Sequence, residues 1–204
     1  MGAIRLEPFA EQHLDSLGSL LADPETHRFT RVPAPAPPDF PQIWLRRYVE
    51  GRREGTREAF AIVDAEHGAV LGLAMSPRLD RETRTAELGY ALAPEARGRG
   101  AATEALRQLT EWAFAEGMLR LELLISVDND PSKRVAERCG YVLEGVLRSA
   151  HFKAELRADT EIWSRLPTDP QAACRPSGSK CAPAGLPPRP RAEADDVPGP
   201  GEAC

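Results

Sequence analysis

Cysteine is nearly missing from the patterned part of this chain. Of the four cysteines, only Cys139 lies among alternating apolar segments. Cys174, Cys181 and Cys204 fall near the end, at spacings that match neither a zinc knuckle nor a CxxC pair. They read as exposed, incidental thiols that cross-link only under oxidising conditions. Histidine is equally sparse, and none of His13, His27 and His67 stands with acidic or cysteine neighbours that would hold a metal, so no metal site is expected. No apolar run approaches the roughly 20 residues of a membrane helix, and no opening segment resembles a signal peptide. Positive net charge is also absent: the formal charge of −5 gives no long-range pull toward nucleic acid or an anionic membrane. These absences point to a cytoplasmic protein with neither nucleic acid nor membrane as partner, existing as a monomer or homodimer.

What is there divides into two parts. Residues 1–166 are expected to form one domain. Residues 167–204 hold 9 of the 19 prolines and almost no large apolar side chains. Such a segment cannot bury enough surface to offset its ordering entropy, so it reads as a disordered Pro-rich tail, with "PPRP" at 187–190 a weak polyproline motif.

The first part alternates strand and helix patterns. "AIRLEP" reads as a strand, and Leu14, Leu17 and Leu21 predict a helix that stops at Asp23-Pro24. After a proline-rich loop, Ile43, Trp44, Arg47 and Tyr48 fit an amphipathic helix with Gly51 and Gly55 as exits. "REAFAIVD", "AVLGLAMS" and "RTAELGYALA" predict three antiparallel strands. Next, Ala102, Ala105, Leu106, Leu109, Trp112 and Ala113 share one helical face, with Gly117 suited to the C-terminal cap. "LRLELLISV" then alternates as a strand, with Leu119, Leu121, Leu123, Ile125 and Val127 on one side.

Strand, glycine-rich turn, helix and strand make a βαβ crossover, so the strands at 84–93 and 119–127 belong in one sheet and run parallel. The turn between them is "PEARGRGAATEAL". The first turn of a helix presents unpaired N–H groups and the positive end of its dipole. Gly98 and Gly100 clear side chains from their approach, and Arg97 and Arg99 add charge. The stretch is suited to a pyrophosphate, although a plain tight turn has the same glycine spacing. A dinucleotide fingerprint does not fit, because Thr103 stands where the third glycine belongs, and no G-K-[ST] follows for a phosphate-binding lysine loop.

"ELGYALAPEARGRGAATEAL" resembles the acetyl-CoA-binding segment of the GNAT superfamily of N-acetyltransferases, whose pattern Arg97, Gly100 and Ala102 fill. "NDPSKRVAERCGYVLEG" at 129–145 resembles text of its ribosomal-protein N-acetyltransferase branch. The resemblance covers residues 1–166. It implies an α/β fold with a mixed, mostly antiparallel sheet, one splayed parallel pair and helices on both faces, with acetyl-CoA as co-substrate between the splayed strands. By the same resemblance the pantetheine arm pairs with backbone groups of Ala91, Leu92 and Ala93. The pyrophosphate sits on the N–H groups of Gly98, Arg99, Gly100, Ala101, Ala102 and Thr103, beside Arg97. Asn129 reaches the pantetheine, unless it only caps the following helix.

Transfer to an amine needs a proton acceptor, a polarised carbonyl and an acid for the departing thiolate. Ser132 matches the family position that donates to the sulfur; Ala136 stands where another branch has a tyrosine. Glu87, on the splayed strand, can take the amine proton directly or through water, or can simply hold an arginine. His151 and Asp159 flank a closing hairpin near the acceptor. Cys139 is expected to pack rather than react, which leaves direct attack by the amine in a ternary complex. The acceptor is a protein N-terminus or a small-molecule amine. A silent acyl-CoA sensor is the alternative, and it has no need of Ser132 or Glu87.

Overall fold

A computed structural model of the chain describes residues 3–153 and 156–170. The expected tail from 171 onward lies outside the described residues. Seven strands form one sheet in the order β1-β2-β3-β4-β5-β7-β6. They are β1 (Ile4–Pro8), β2 (Glu58–Asp64), β3 (Val70–Asp80), β4 (Thr85–Leu92), β5 (Arg120–Ser126), β6 (Val142–Lys153) and β7 (Leu156–Arg165). Only β4 and β5 pair in parallel; every other neighbouring pair is antiparallel.

Among the described residues five α-helices accompany the sheet: α1 (Gly18–Ala22), α2 (Pro24–Phe29), α3 (Phe40–Glu54), α4 (Ala101–Ala115) and α5 (Asp130–Arg138). Helix α4 covers one face, burying Ala105, Leu106, Leu109 and Ala113 against Ile62, Leu88, Leu121 and Leu123. The other face packs Phe9, Leu17, Tyr48 and Leu73, with Trp44 set edge-on to Phe9. Helix α4 ends as its sequence requires. Gly117, at φ 87°, lets its own N–H reach Phe114 O and that of Met118 reach Ala113 O, which satisfies two terminal carbonyls.

Four expectations need amendment. The helix read across Leu14–Leu21 is a 3₁₀ segment, Glu11–Leu17, running into the short α1. The stop at Asp23-Pro24 holds for α1, which ends at Ala22, but the same proline starts an unexpected α2, because its missing N–H costs nothing in a first turn and the Asp23 side chain caps Thr26 N at 2.8 Å. Ile43 is 54% exposed, since α3 buries the Tyr48 and Gly51 side instead. Leu119 is 48% exposed because β5 begins one residue later, at Arg120.

Strand β4 is held tightly on its β3 side. Gly72 pairs with Leu92, and a methyl group added at Gly72 would stand 2.2 Å from Ala91 O and 2.9 Å from Leu92 Cα. Both obstacles are backbone, so Gly72→Ala must push the strands apart. We expect a loss of about 2 kcal/mol, and a melting temperature lower by roughly 4–8 °C. Thermal unfolding checks this, and an unchanged midpoint would show that β3 and β4 yield there without cost.

Candidate active site

Strands β4 and β5 start together and then part. Thr85, Ala86 and Glu87 pair with Arg120, Leu121 and Glu122, and no pairing follows, although both strands continue to Leu92 and Ser126. The N–H of Ala93 donates to Leu71 O at 2.9 Å, so Ala93 faces β3. Alternation along the strand then turns the polar groups of Leu88, Tyr90 and Leu92 toward the gap. Of the three residues expected to meet a pantetheine, only Leu92 therefore faces it. Its carbonyl already accepts from Arg97 Nε and Nη2, at 3.2 and 3.0 Å.

The turn beyond β4 delivers α4 to the end of this gap. Gly98 and Gly100 adopt φ values of 73° and 81°, a left-handed conformation that favours glycine. No side chain caps α4, so the N–H groups of Ala101, Ala102 and Thr103 stay available at the positive end of a 15-residue helix. Arg99 is exposed beside them. Arg97 is placed differently. Its guanidinium turns inward to Asp23, donates to Glu25 at 3.0 Å and closes on Leu92 O. It ties the turn to α2 and to the end of β4.

Asp23 is buried, which by itself would raise its carboxyl. The Arg97 guanidinium and the Thr26 N–H and hydroxyl outweigh that and hold it at about 2, below its ordinary 3.8.

On the far side of the gap, Asn129 caps α5: its Oδ1 accepts from Ser132 N at 3.2 Å, which leaves its amide group to donate elsewhere. Ser132 Oγ accepts from Tyr90 Oη at 3.3 Å. Burial pushes the Tyr90 hydroxyl up to about 12, with the bond to Ser132 pulling the other way, so the phenol keeps its proton at neutral pH and donates. Sequence reading missed Tyr90. The signal was present, because strand alternation sets Tyr90 on the same face as Leu88 and Leu92, and a buried phenol needs a partner.

Glu87 points to the opposite face, into a cleft of about 1010 Å³ lined by α2, α3, β3 and β4 and reaching Leu124 and Ser126 across the gap. Its nearest cation is Arg31 Nη2, 3.8 Å away. The structure thus brings Ser132 to Tyr90 rather than to Glu87, whose side chain lines the cleft on the other face of β4. His151 lines the cleft, whereas Asp159 accepts from Ser149 N at 2.8 Å and braces β6. Cys139 is buried, its thiol pushed up to about 11 by burial, and it bonds to Thr103 O at 3.4 Å. Behind it, Gly140 at φ 76° ends α5 and Tyr141 joins its hydroxyl to Thr110 of α4 at 2.8 Å. The "ERCGY" text therefore clamps α5 onto α4. Among the described residues no group of three or more His, Cys, Asp or Glu is placed to hold a metal.

Residues 3–142 match the acetyltransferase (GNAT) domain. The chain belongs to this family. It is by that membership an acetyltransferase. Two relatives align over most of their length. YdaF of Bacillus subtilis (strain 168) is 31% identical over 171 residues, 80% of this chain and 85% of the relative. The ribosomal-protein-serine acetyltransferase of Escherichia coli (strain K12) is 27% identical over 174 residues, 80% of this chain and 93% of the relative. Among solved structures, RimL, a ribosomal L7/L12 alpha-N-protein acetyltransferase in complex with coenzyme A, superposes with a TM-score of 0.73 at 19% identity, covering 80% of this chain and 93% of that one. That identity speaks for the fold: the GNAT sheet with its one parallel pair.

The Arg97–Asp23 contact has a pH signature. In the folded state the Asp23 carboxyl sits at about 2; in the unfolded chain it returns to about 3.8. The pair's stabilisation is complete above about pH 5, and is lost as pH falls through 4 toward 2. Arg97→Gln leaves Asp23 buried without its cation, and at neutral pH should cost about 2 kcal/mol, discounted because Arg97 is 32% exposed. The gap in melting temperature between wild type and variant should close on acidification. A gap that persists at pH 2 would show that the arginine acts by packing alone.

Proposed function

We propose that the protein transfers an acetyl group from acetyl-CoA to a primary amine, with a protein N-terminus as the first acceptor to test and small-molecule amines as the other source. The observation that carries this is the early end of the β4–β5 pairing beside the uncapped start of α4. Unsatisfied strand groups and helix N–H groups there fit an amide-bearing arm followed by a pyrophosphate.

Bound there, acetyl-CoA supplies an acyl thioester. The N–H groups of Ala101–Thr103 hold its phosphates, while Arg97 keeps the turn in shape through Asp23 and Leu92. Leu88, Tyr90 and Leu92 offer backbone groups to the arm, and one strand N–H polarises the thioester carbonyl. Asn129 fixes the first turn of α5 and turns its free amide group to the same arm.

Ser132 and Glu87 divide the proton work. Tyr90 donates to Ser132 Oγ and so leaves the serine's own proton to be given to the departing sulfur. Glu87, in the cleft on the opposite face, takes a proton from the attacking amine, directly or through water. The nitrogen–carbon bond forms as the carbon–sulfur bond breaks, with no covalent enzyme intermediate, since Cys139 is buried with its thiol raised. The oriented Ser132 and the cleft-facing Glu87 favour a catalyst over a silent sensor, which needs neither. A cytoplasmic setting, where acetyl-CoA and protein N-termini meet, agrees with this reading.

Release of free CoA thiol across a panel of peptides and amines is the primary test. On the best acceptor, Ser132→Ala should lower kcat by about 10- to 1000-fold with the acetyl-CoA dissociation constant nearly unchanged. Glu87→Gln should displace the rising limb of the pH–rate profile and recover in alkali, where solvent deprotonates the amine. Full turnover in Ser132→Ala would remove the acid assignment, and a Glu87→Gln profile that only scales down would remove the base.

A further inference from the structure

The acceptor has to enter through the cleft on the Glu87 side, and that entrance is not neutral. Tyr48 of α3 is buried beside it, and three guanidinium groups, Arg31, Arg47 and Arg57, act on its hydroxyl together with a single carboxylate, Glu87. All four of these charged side chains line the cleft. Arg31 approaches Glu87 at 3.8 Å, which accounts for the one negative charge. Arg47 and Arg57 meet no carboxylate among the described residues.

Arg57 is held in advance of any ligand. Its methylene stem lies across Gly51 of α3, so closely that a side chain at 51 would stand 2.7 Å from Arg57 Cβ. Its Nε donates to Pro77 O at 3.0 Å, leaving both terminal nitrogens without a carboxylate. Elsewhere in the lining Arg78 meets Glu122 and Arg81 meets Glu116, and Glu54, Asp80 and Glu82 add carboxylates, none of them paired with Arg47 or Arg57. The excess of positive charge is therefore local to the surroundings of the Tyr48 hydroxyl. A simple ammonium ion would be repelled there, because one carboxylate does not offset three guanidinium groups.

We propose that Arg31, Arg47 and Arg57 form a subsite for a carboxylate that the acceptor carries close to the amine it presents. The substrate class is then an α-amine with an acidic neighbour: a peptide N-terminus followed by Asp or Glu, or a free acidic amino acid. Guanidinium forks suit a carboxylate, which they bind through paired N–H bonds. As the acceptor's ammonium group reaches Glu87, Arg31 is released to the incoming carboxylate. The inference rests on the acetyltransfer reading of this same cleft and adds the chemistry of its acceptor.

The test compares kcat/KM, by CoA thiol release, for peptides that begin Ser-Asp-Glu, Ser-Asn-Gln and Ser-Lys-Lys and are otherwise identical, and for free glutamate against glutamine. The acidic acceptor should exceed its amide counterpart by about tenfold or more, the lysine peptide should be poorest, and the preference should shrink as salt rises. In Arg47→Gln, an exposed position whose replacement spares the core, the acidic-to-amide ratio should drop severalfold. Arg57→Lys, which keeps the charge and loses the fork, should reduce it as well. Whether the peptide or free glutamate carries the preference identifies the source of the carboxylate. Turnover that is equal or better on amide acceptors overturns the subsite and leaves acetyltransfer standing. Absence of CoA release from every acceptor overturns both.

Discussion

Three residue pairs of parallel ladder are the constraint on which this structure depends. Thr85, Ala86 and Glu87 lock β4 to β5, and beyond them the strands diverge. The lock must be short, since a continued ladder would consume the polar groups of Leu88, Tyr90 and Leu92. It must also be firm, because α4 and α5 both start from the far ends of these two strands. Firmness comes from the sides. β3 holds β4 through close pairing at Gly72, β7 holds β5 from Leu121 to Ser126, and Arg120 bridges Glu122 and Glu144 near the base of the opening. Divergence then costs no buried strand its partners on both sides.

The opening joins two environments. On the α4 side stand helix N–H groups and the exposed Arg99. On the α3 side stand Glu87 and the arginines around Tyr48. Arg97 connects them, since its guanidinium spans the turn before α4, the end of β4 and the first residues of α2, whose C-terminal neighbours wall the cleft that holds Glu87. A residue that reads as one more charge for a phosphate is, in the folded chain, the brace between the two halves of the site.

Much of the fold was legible because its signals were local. The period of α4, the alternation of β5 and the glycines at 98, 100 and 117 each specify their own geometry. Asn129, which the GNAT text assigned to the pantetheine arm with a helix cap as the alternative, does cap α5. What escaped depends on partners distant in sequence. Proline at 24 reads, correctly, as the end of one helix, but as the start of another only once Asp23 is seen to cap the next turn. Arg97 reads as a charge for the phosphate unless Asp23, 74 residues away, is brought beside it. Tyr90 draws no notice until Ser132, 42 residues on, is seen to share its hydrogen bond. Glu87 was assigned to the right strand, but its neighbour Arg31 comes from a loop with no periodic signal at all.

On the reading proposed above, the unpaired stretch of β4 and the start of α4 form one binding surface for acetyl-CoA. Amide hydrogen exchange, followed residue by residue by NMR with and without acetyl-CoA, measures this directly. The account predicts slower exchange on loading at Leu88, Tyr90 or Leu92 and at Ala101–Thr103, with no change at Ala93, whose N–H is already bonded to Leu71. Exchange at β4 and α4 that is the same in the free and loaded protein would contradict it.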